Sequence, residues 1–138
     1  MTKMFRVSEA ANLALHSMAI LAASQDRLVQ TKEIASVLKA SEAHLAKILL
    51  VLHRAGLVHA TRGPAGGFKL TGDAAKVSLK EIYEAVEGPI VIEKCIFSVP
   101  VCNGKKCELG DFFQSVNRKV AMKLAETKLS QISLKARS

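Results

Sequence analysis

The 138-residue chain carries 20 Lys and Arg against 12 Asp and Glu, a net charge of +8 that favours an anionic partner, most commonly nucleic acid. A hydrophobic content of 49% is enough for one buried core, and with five Phe, one Tyr and no Trp that core must be built mostly from Leu, Ile, Val and Ala. No stretch reaches the roughly 18 consecutive apolar residues of a membrane span. Glu9, Asn12 and His16 interrupt the apolar residues near the N-terminus, which lacks a signal-peptide pattern, so the expected location is cytoplasmic with no membrane partner.

In chain order, Ser8 can cap a helix from Glu9 to about Ala23 with a buried stripe of Ala11, Ala14, Leu15, Met18 and Leu21 or Ala22. Thr31 is expected to cap a short second helix that turns Ile34, Ala35 and Leu38 inward. After the three-residue linker Lys39-Ala40-Ser41, Ser41 caps a third helix. In it Leu45, Ile48, Leu49 and Leu52 recur at helical spacing, and Gly56 provides a left-handed stop. Residues 57–62 and 68–71 are β-prone runs around Gly63-Pro64-Ala65-Gly66-Gly67 and predict a hairpin. Ser78 with Glu81 predicts a capping box opening a helix through Glu87, with Leu79, Ile82, Tyr83 and Val86 inward and Gly88-Pro89 as its end. Residues 90–107 lack periodicity. From Leu109 a long helix spaces Leu109, Phe113, Val116, Val120 and Leu124 by alternating fours and threes, with Phe112 widening the stripe, which suits a coiled-coil-like seam or an ordinary packing face. Thr127 or Ser130 is expected to cap a last short turn holding Ile132.

The expected fold is therefore mainly α with a small β-hairpin wing: a winged helix-turn-helix plus a long C-terminal dimerisation helix. Residues 1–77 form the DNA-binding region, 78–107 a connecting helix and cysteine loop, and 108–138 the dimerisation helix and tail, all within one intertwined domain. Residues 1–78 hold ten basic and five acidic side chains against ten and seven in 79–138, so the first part is the better candidate for phosphate contact. The start of the third helix would enter the major groove and present Ser41, Ala43, His44 and Lys47. Helix starts at Thr31 and Ser41 can meet phosphate. Arg62 beside the Gly63, Gly66 and Gly67 tip suits a narrow minor groove. A plainer reading takes Lys47 as a solvated lysine and the glycine run as any tight turn.

All three cysteines, Cys95, Cys102 and Cys107, lie in one interhelical loop at the spacing C-x6-C-x4-C. An odd number in a reducing compartment argues against a disulfide framework, and the paired C-x2-4-C spacing of structural zinc is missing. Thiolates suit an iron–sulfur cluster, zinc or copper(I). A cluster normally needs a fourth ligand, from another residue, solvent or a second subunit.

The segment Ala11-Asn12-Leu13-Ala14-Leu15-His16 and the wing Leu57-Val58 through Arg62-Gly63-Pro64-Ala65-Gly66-Gly67-Phe68 belong together with Ser78-Leu79-Lys80-Glu81-Ile82 through Glu87-Gly88, three spaced cysteines and a long helix. Over residues 4–134 this set resembles the winged-helix iron–sulfur transcription regulators typified by IscR and NsrR. The resemblance implies a homodimer on a partly palindromic double-stranded DNA operator and a cluster held by Cys95, Cys102 and Cys107. IscR-like members take a fourth ligand from a histidine shortly after the third cysteine, where this chain has Gly110. NsrR-like members take an acidic ligand from the first helix of the other subunit, where this chain has Asn12. His16, four residues on, shares that helix face and is the sharper candidate for a ligand from the other subunit, against the plainer reading of Asn12 and His16 as an exposed or interface pair hydrogen-bonded to neighbours. The preferred cluster is 4Fe-4S over 2Fe-2S. The implied function is a transcription regulator, acting as a repressor, whose cluster senses nitric oxide, oxygen, iron supply or cluster status. The alternatives are a cluster-free thiol redox regulator of the same fold and a metal-binding adaptor of iron–sulfur assembly with no DNA role. No nucleophile–base pair suggests an enzyme.

Overall fold

The computed structural model describes residues 4–93, 95, 97, 99 and 107–132. Helix α1 (Glu9–Ala23) opens at Ser8, whose hydroxyl accepts the Ala11 N–H at 3.1 Å. That hydroxyl in turn donates to the carboxylate of Glu87, tying the start of α1 to the end of a later helix. The narrow stripe expected for α1 needs correction. Leu15 is only half-buried, whereas Leu13, Ser17, Ala19 and Ile20 are buried as fully as Ala11, Ala14, Met18 and Leu21. The reason is position: α1 is the central helix, contacted from several sides, and a helix apolar around most of its circumference belongs inside.

Helix α2 (Thr31–Leu38) begins with Thr31 rather than being capped by it; Gln30 is the N-cap and its side chain makes no capping bond. Ile34 and Ala35 are buried, and Leu38 is half-buried. Lys39 ends the helix at φ 52°, ψ 43°, a left-handed conformation found at no other non-glycine among the described residues. Helix α3 (Glu42–Arg54) is capped by Ser41, which accepts the His44 N–H at 3.3 Å. Leu45, Ile48, Leu49 and Leu52 are its buried face, and Gly56 follows at φ 79°.

Strands β1 (Val58–Thr61) and β2 (Gly67–Leu70) pair antiparallel with Val58 opposite Leu70 and Thr61 opposite Gly67. The second strand starts one residue earlier than the β-prone run suggested. A 3-10 turn, Ala74–Lys76, leads to helix α4 (Leu79–Glu87). Ser78 caps α4 through the Glu81 N–H at 3.1 Å; the Glu81 carboxylate meets the Ser78 hydroxyl at 3.4 Å, so the observed pairing differs from the expected box, in which it would take the Ser78 N–H.

Helix α5 (Glu108–Glu126) packs on α4 and leaves Leu109, Phe112, Val120 and Met122 exposed. Neither Thr127 nor Ser130 caps the last turn. Thr127 closes α5, its hydroxyl donating to the Lys123 carbonyl, and the 3-10 turn Leu129–Gln131 starts from Lys128. Leu129 is fully buried. Its N–H donates to Val77 O at 2.8 Å and Leu79 N–H donates to Thr127 O at 2.9 Å, so the chain after α5 returns to the core beside α1.

Candidate nucleic-acid interface and cysteine loop

Three elements place the predicted DNA-facing residues. At the head of α3, Ser41, Ala43 and Lys47 are exposed, while His44 is half-buried with Nδ1 4.0 Å from the Glu9 carboxylate. Because Ser41 Oγ already accepts from His44 N–H, its own proton is left to donate outward. At the start of α2, Thr31 is half-buried. Arg27 and Glu33 brace this end through two hydrogen bonds of 3.1 and 2.9 Å. The Arg27 hydrogen bond, and then its charge, hold the Glu33 carboxyl below the usual carboxylate range.

The third element is the wing. Arg62 and Gly63 are exposed, Gly66 is buried and Gly67 half-buried. Gly66 N–H donates to Gly63 O at 2.9 Å, closing a turn with Pro64 as its first central residue. A Cβ at Gly66 would lie 2.1 Å from Thr61 O, and one at Gly67 2.7 Å from Val29 O, so backbone approach demands glycine at both. The Val29 contact comes from a bridge the sequence did not suggest: Val29 and Phe68 exchange N–H···O bonds of 2.9 and 2.8 Å, laying the chain before α2 against the wing. Gln30 Nε2 then donates to Pro64 O at 3.3 Å, joining the start of α2 to the wing tip.

Among the cysteines, Cys95 is half-buried and Cys107 exposed, both as free thiols. Cys102 lies outside the described residues. Cys107 is the N-cap of α5, and the buried Gly110 donates its N–H to Cys107 Sγ at 3.2 Å. Asn12 and His16 are both exposed on one face of α1. His16 Nδ1 lies 2.7 Å from the Asn12 carbonyl oxygen, which can only accept, so Nδ1 donates and Nε2 is the ring nitrogen that this bond leaves uncommitted, the arrangement that orients ligating imidazoles. Both residues line a cleft of about 340 Å³ shared with Glu9, Leu13 and the turn Leu38-Lys39-Ala40. Among the described residues no three His, Cys, Asp or Glu side chains of one chain come together to hold a metal ion.

A helix-turn-helix followed by a hairpin wing defines the chain as a winged-helix DNA-binding protein. Residues 7–134 match the family model of Rrf2, iron-dependent transcriptional regulator, and the chain belongs to that family. It is 29% identical over 140 residues to an HTH-type transcriptional regulator of Aquifex aeolicus, covering 91% of this chain and 97% of the relative. It is 40% identical over 77 residues to the regulator IscR of Cereibacter sphaeroides, a match spanning 56% of this chain and half of that one. The solved structure of CymR, the global cysteine regulator of B. subtilis, superposes with a TM-score of 0.76 at 26% identity, covering 91% of this chain and 94% of CymR. The family regulates transcription, and its members here are regulators rather than enzymes. No helix among the described residues is long and apolar enough to cross a membrane.

Proposed function

We propose that this regulator is a homodimeric repressor whose affinity for a partly palindromic operator is set by an iron–sulfur cluster bound through Cys95, Cys102 and Cys107. The observation that carries this reading is the position of Cys107. It heads α5, the helix with an exposed apolar row of Leu109, Phe112 and Val120, so one residue belongs both to the ligand loop and to the proposed dimer seam. The donor chemistry fits: thiolates suit iron–sulfur centres, and a helix N-terminus stabilises negative charge. With Gly110 where IscR-like members place a histidine, His16 of the partner subunit is the proposed fourth ligand, through the Nε2 that its bond to Asn12 leaves free, and Asn12 the weaker candidate. A 4Fe-4S centre is preferred over 2Fe-2S. When bound, the cluster supplies a centre that nitric oxide, oxygen or iron limitation can degrade.

The DNA surface combines Ser41, Ala43, His44 and Lys47 in the major groove, Thr31 at the phosphates and Arg62 in the minor groove. Gly63, Gly66 and Gly67 shape the tip. The test of the cluster is anaerobic reconstitution with iron and sulfide, read by visible absorbance and by metal and sulfide content. The expected result is a coloured protein that Cys102→Ala abolishes, with unchanged far-UV circular dichroism. A wild-type protein holding neither iron nor sulfide would overturn it. That outcome would favour a second reading supported by the likeness to CymR and the exposed thiol of Cys107, in which bare cysteines respond to oxidation directly.

A further inference from the structure

Gln30 breaks a local rule. As N-cap of α2 it occupies a position where Ser, Thr, Asp or Asn would accept a free backbone N–H, yet its side chain makes no such bond. Its amide instead reaches 34 residues along the chain and donates to Pro64 O at 3.3 Å. Local conflicts of this kind are expected where a residue serves something other than its own element.

The base of the wing needs no such help. Val29 is fully buried and exchanges two backbone hydrogen bonds with Phe68, so the root of β2 is anchored to the chain entering α2. The tip beyond that bridge is different. Arg62 through Ala65 are exposed. Among the described residues, Gln30 supplies the one side-chain hydrogen bond made to residues 62–66. The tip also has its own internal order, the Gly66 to Gly63 bond, so what it lacks is orientation relative to the rest of the molecule.

We propose that Gln30 is a wing latch: a positioning residue that holds the tip carrying Arg62 in a fixed orientation to the helix-turn-helix, so that wing and α3 meet DNA without an ordering cost at binding. Preorganisation of this kind raises affinity without adding a contact. The inference rests on the reading that Arg62 touches DNA.

Gln30→Ser separates latch from fold, because serine is the better N-cap and cannot span the distance to Pro64. The probe is a duplex of about 30 base pairs, selected by the wild-type protein from a random pool, with binding followed by fluorescence anisotropy. The denaturation midpoint should stay or rise, while affinity falls roughly three- to ten-fold, the scale of one hydrogen bond. In an Arg62→Ala background the same change should cost little, since the residue being positioned is gone. Unchanged affinity in Gln30→Ser would overturn the latch, as would an equal loss with and without Arg62, which would place Gln30 itself on the DNA. A lowered midpoint accompanying the loss would assign it to α2 and overturn it too. If Arg62→Ala alone leaves affinity intact, the wing reading fails, and the latch with it.

Discussion

Leu129→Ala tests how the C-terminal turn is held. Leu129 is fully buried in the same core as Met18, Leu49 and Ile82, although it follows the long helix in sequence. Truncation to alanine removes the equivalent of about three methylenes, roughly 2.5 kcal/mol in transfer free energy at ~0.8 kcal/mol each. The cavity left behind adds about 1 kcal/mol, for a total near 3.5 kcal/mol, inside the range of buried Leu→Ala changes. For 138 residues the unfolding entropy is about 0.3 kcal/mol/K, so Tm should fall by roughly 12 °C. The assay is guanidinium denaturation followed by far-UV circular dichroism at one fixed protein concentration, with exposed Ser130→Ala as the neutral control. A loss below about 1 kcal/mol, with Ser130→Ala behaving the same, would refute the docking of this turn into the core.

Lys39→Gly should raise stability by about 0.5–1 kcal/mol, because the left-handed conformation strains a side chain with a Cβ more than glycine's flexibility costs; a destabilised variant in urea titration would contradict this. Cys107→Ser should keep the α5 cap and the fold but lose the cluster, whereas Cys107→Ala should lose the cluster and about 1 kcal/mol as well; equal stability of the two variants would show that the Sγ cap contributes nothing. Glu33→Gln should show a small loss at neutral pH that disappears in acid. The folded-state pKa of Glu33 is lowered, so its contribution is present above the unfolded carboxylate range and vanishes as pH falls through the folded value; a gap independent of pH would refute the Arg27 pairing.

Local signals gave α1, α3 and α4 their bounds. Ser8, Ser41 and Ser78 each cap through a residue three positions on, and Leu45, Ile48, Leu49 and Leu52 are spaced for one buried face. Gly66 and Gly67 marked the wing, though the partners that forbid a Cβ there, Thr61 O and Val29 O, emerge only with the fold. What escaped was non-local. Gln30 hides its partner 34 residues away, and Leu129 stands in a short, mostly polar segment where only Ile132, three positions on, hints at a buried face. Lys39 adopts a conformation that chemistry usually reserves for glycine or asparagine, so the residue type pointed elsewhere. For α1 the spacing suggested a narrow stripe because alanines and a serine read as neutral, whereas neighbouring elements on several sides bury Leu13, Ser17, Ala19 and Ile20 as well and leave the Asn12–His16 face exposed. The exposed Asn12–His16 face was legible from the four-residue spacing, but its shared cleft with Lys39 was not.

The central claim is that cluster occupancy controls DNA binding. It is tested most directly by measuring the affinity of one anaerobic preparation for a selected operator duplex before and after the cluster is removed by chelation, at a single salt concentration. The account predicts affinities that differ by at least about ten-fold between the two forms, the scale of a typical coupling free energy, and a difference that Cys102→Ala abolishes. Equal affinities for a preparation shown to hold iron and sulfide would contradict it.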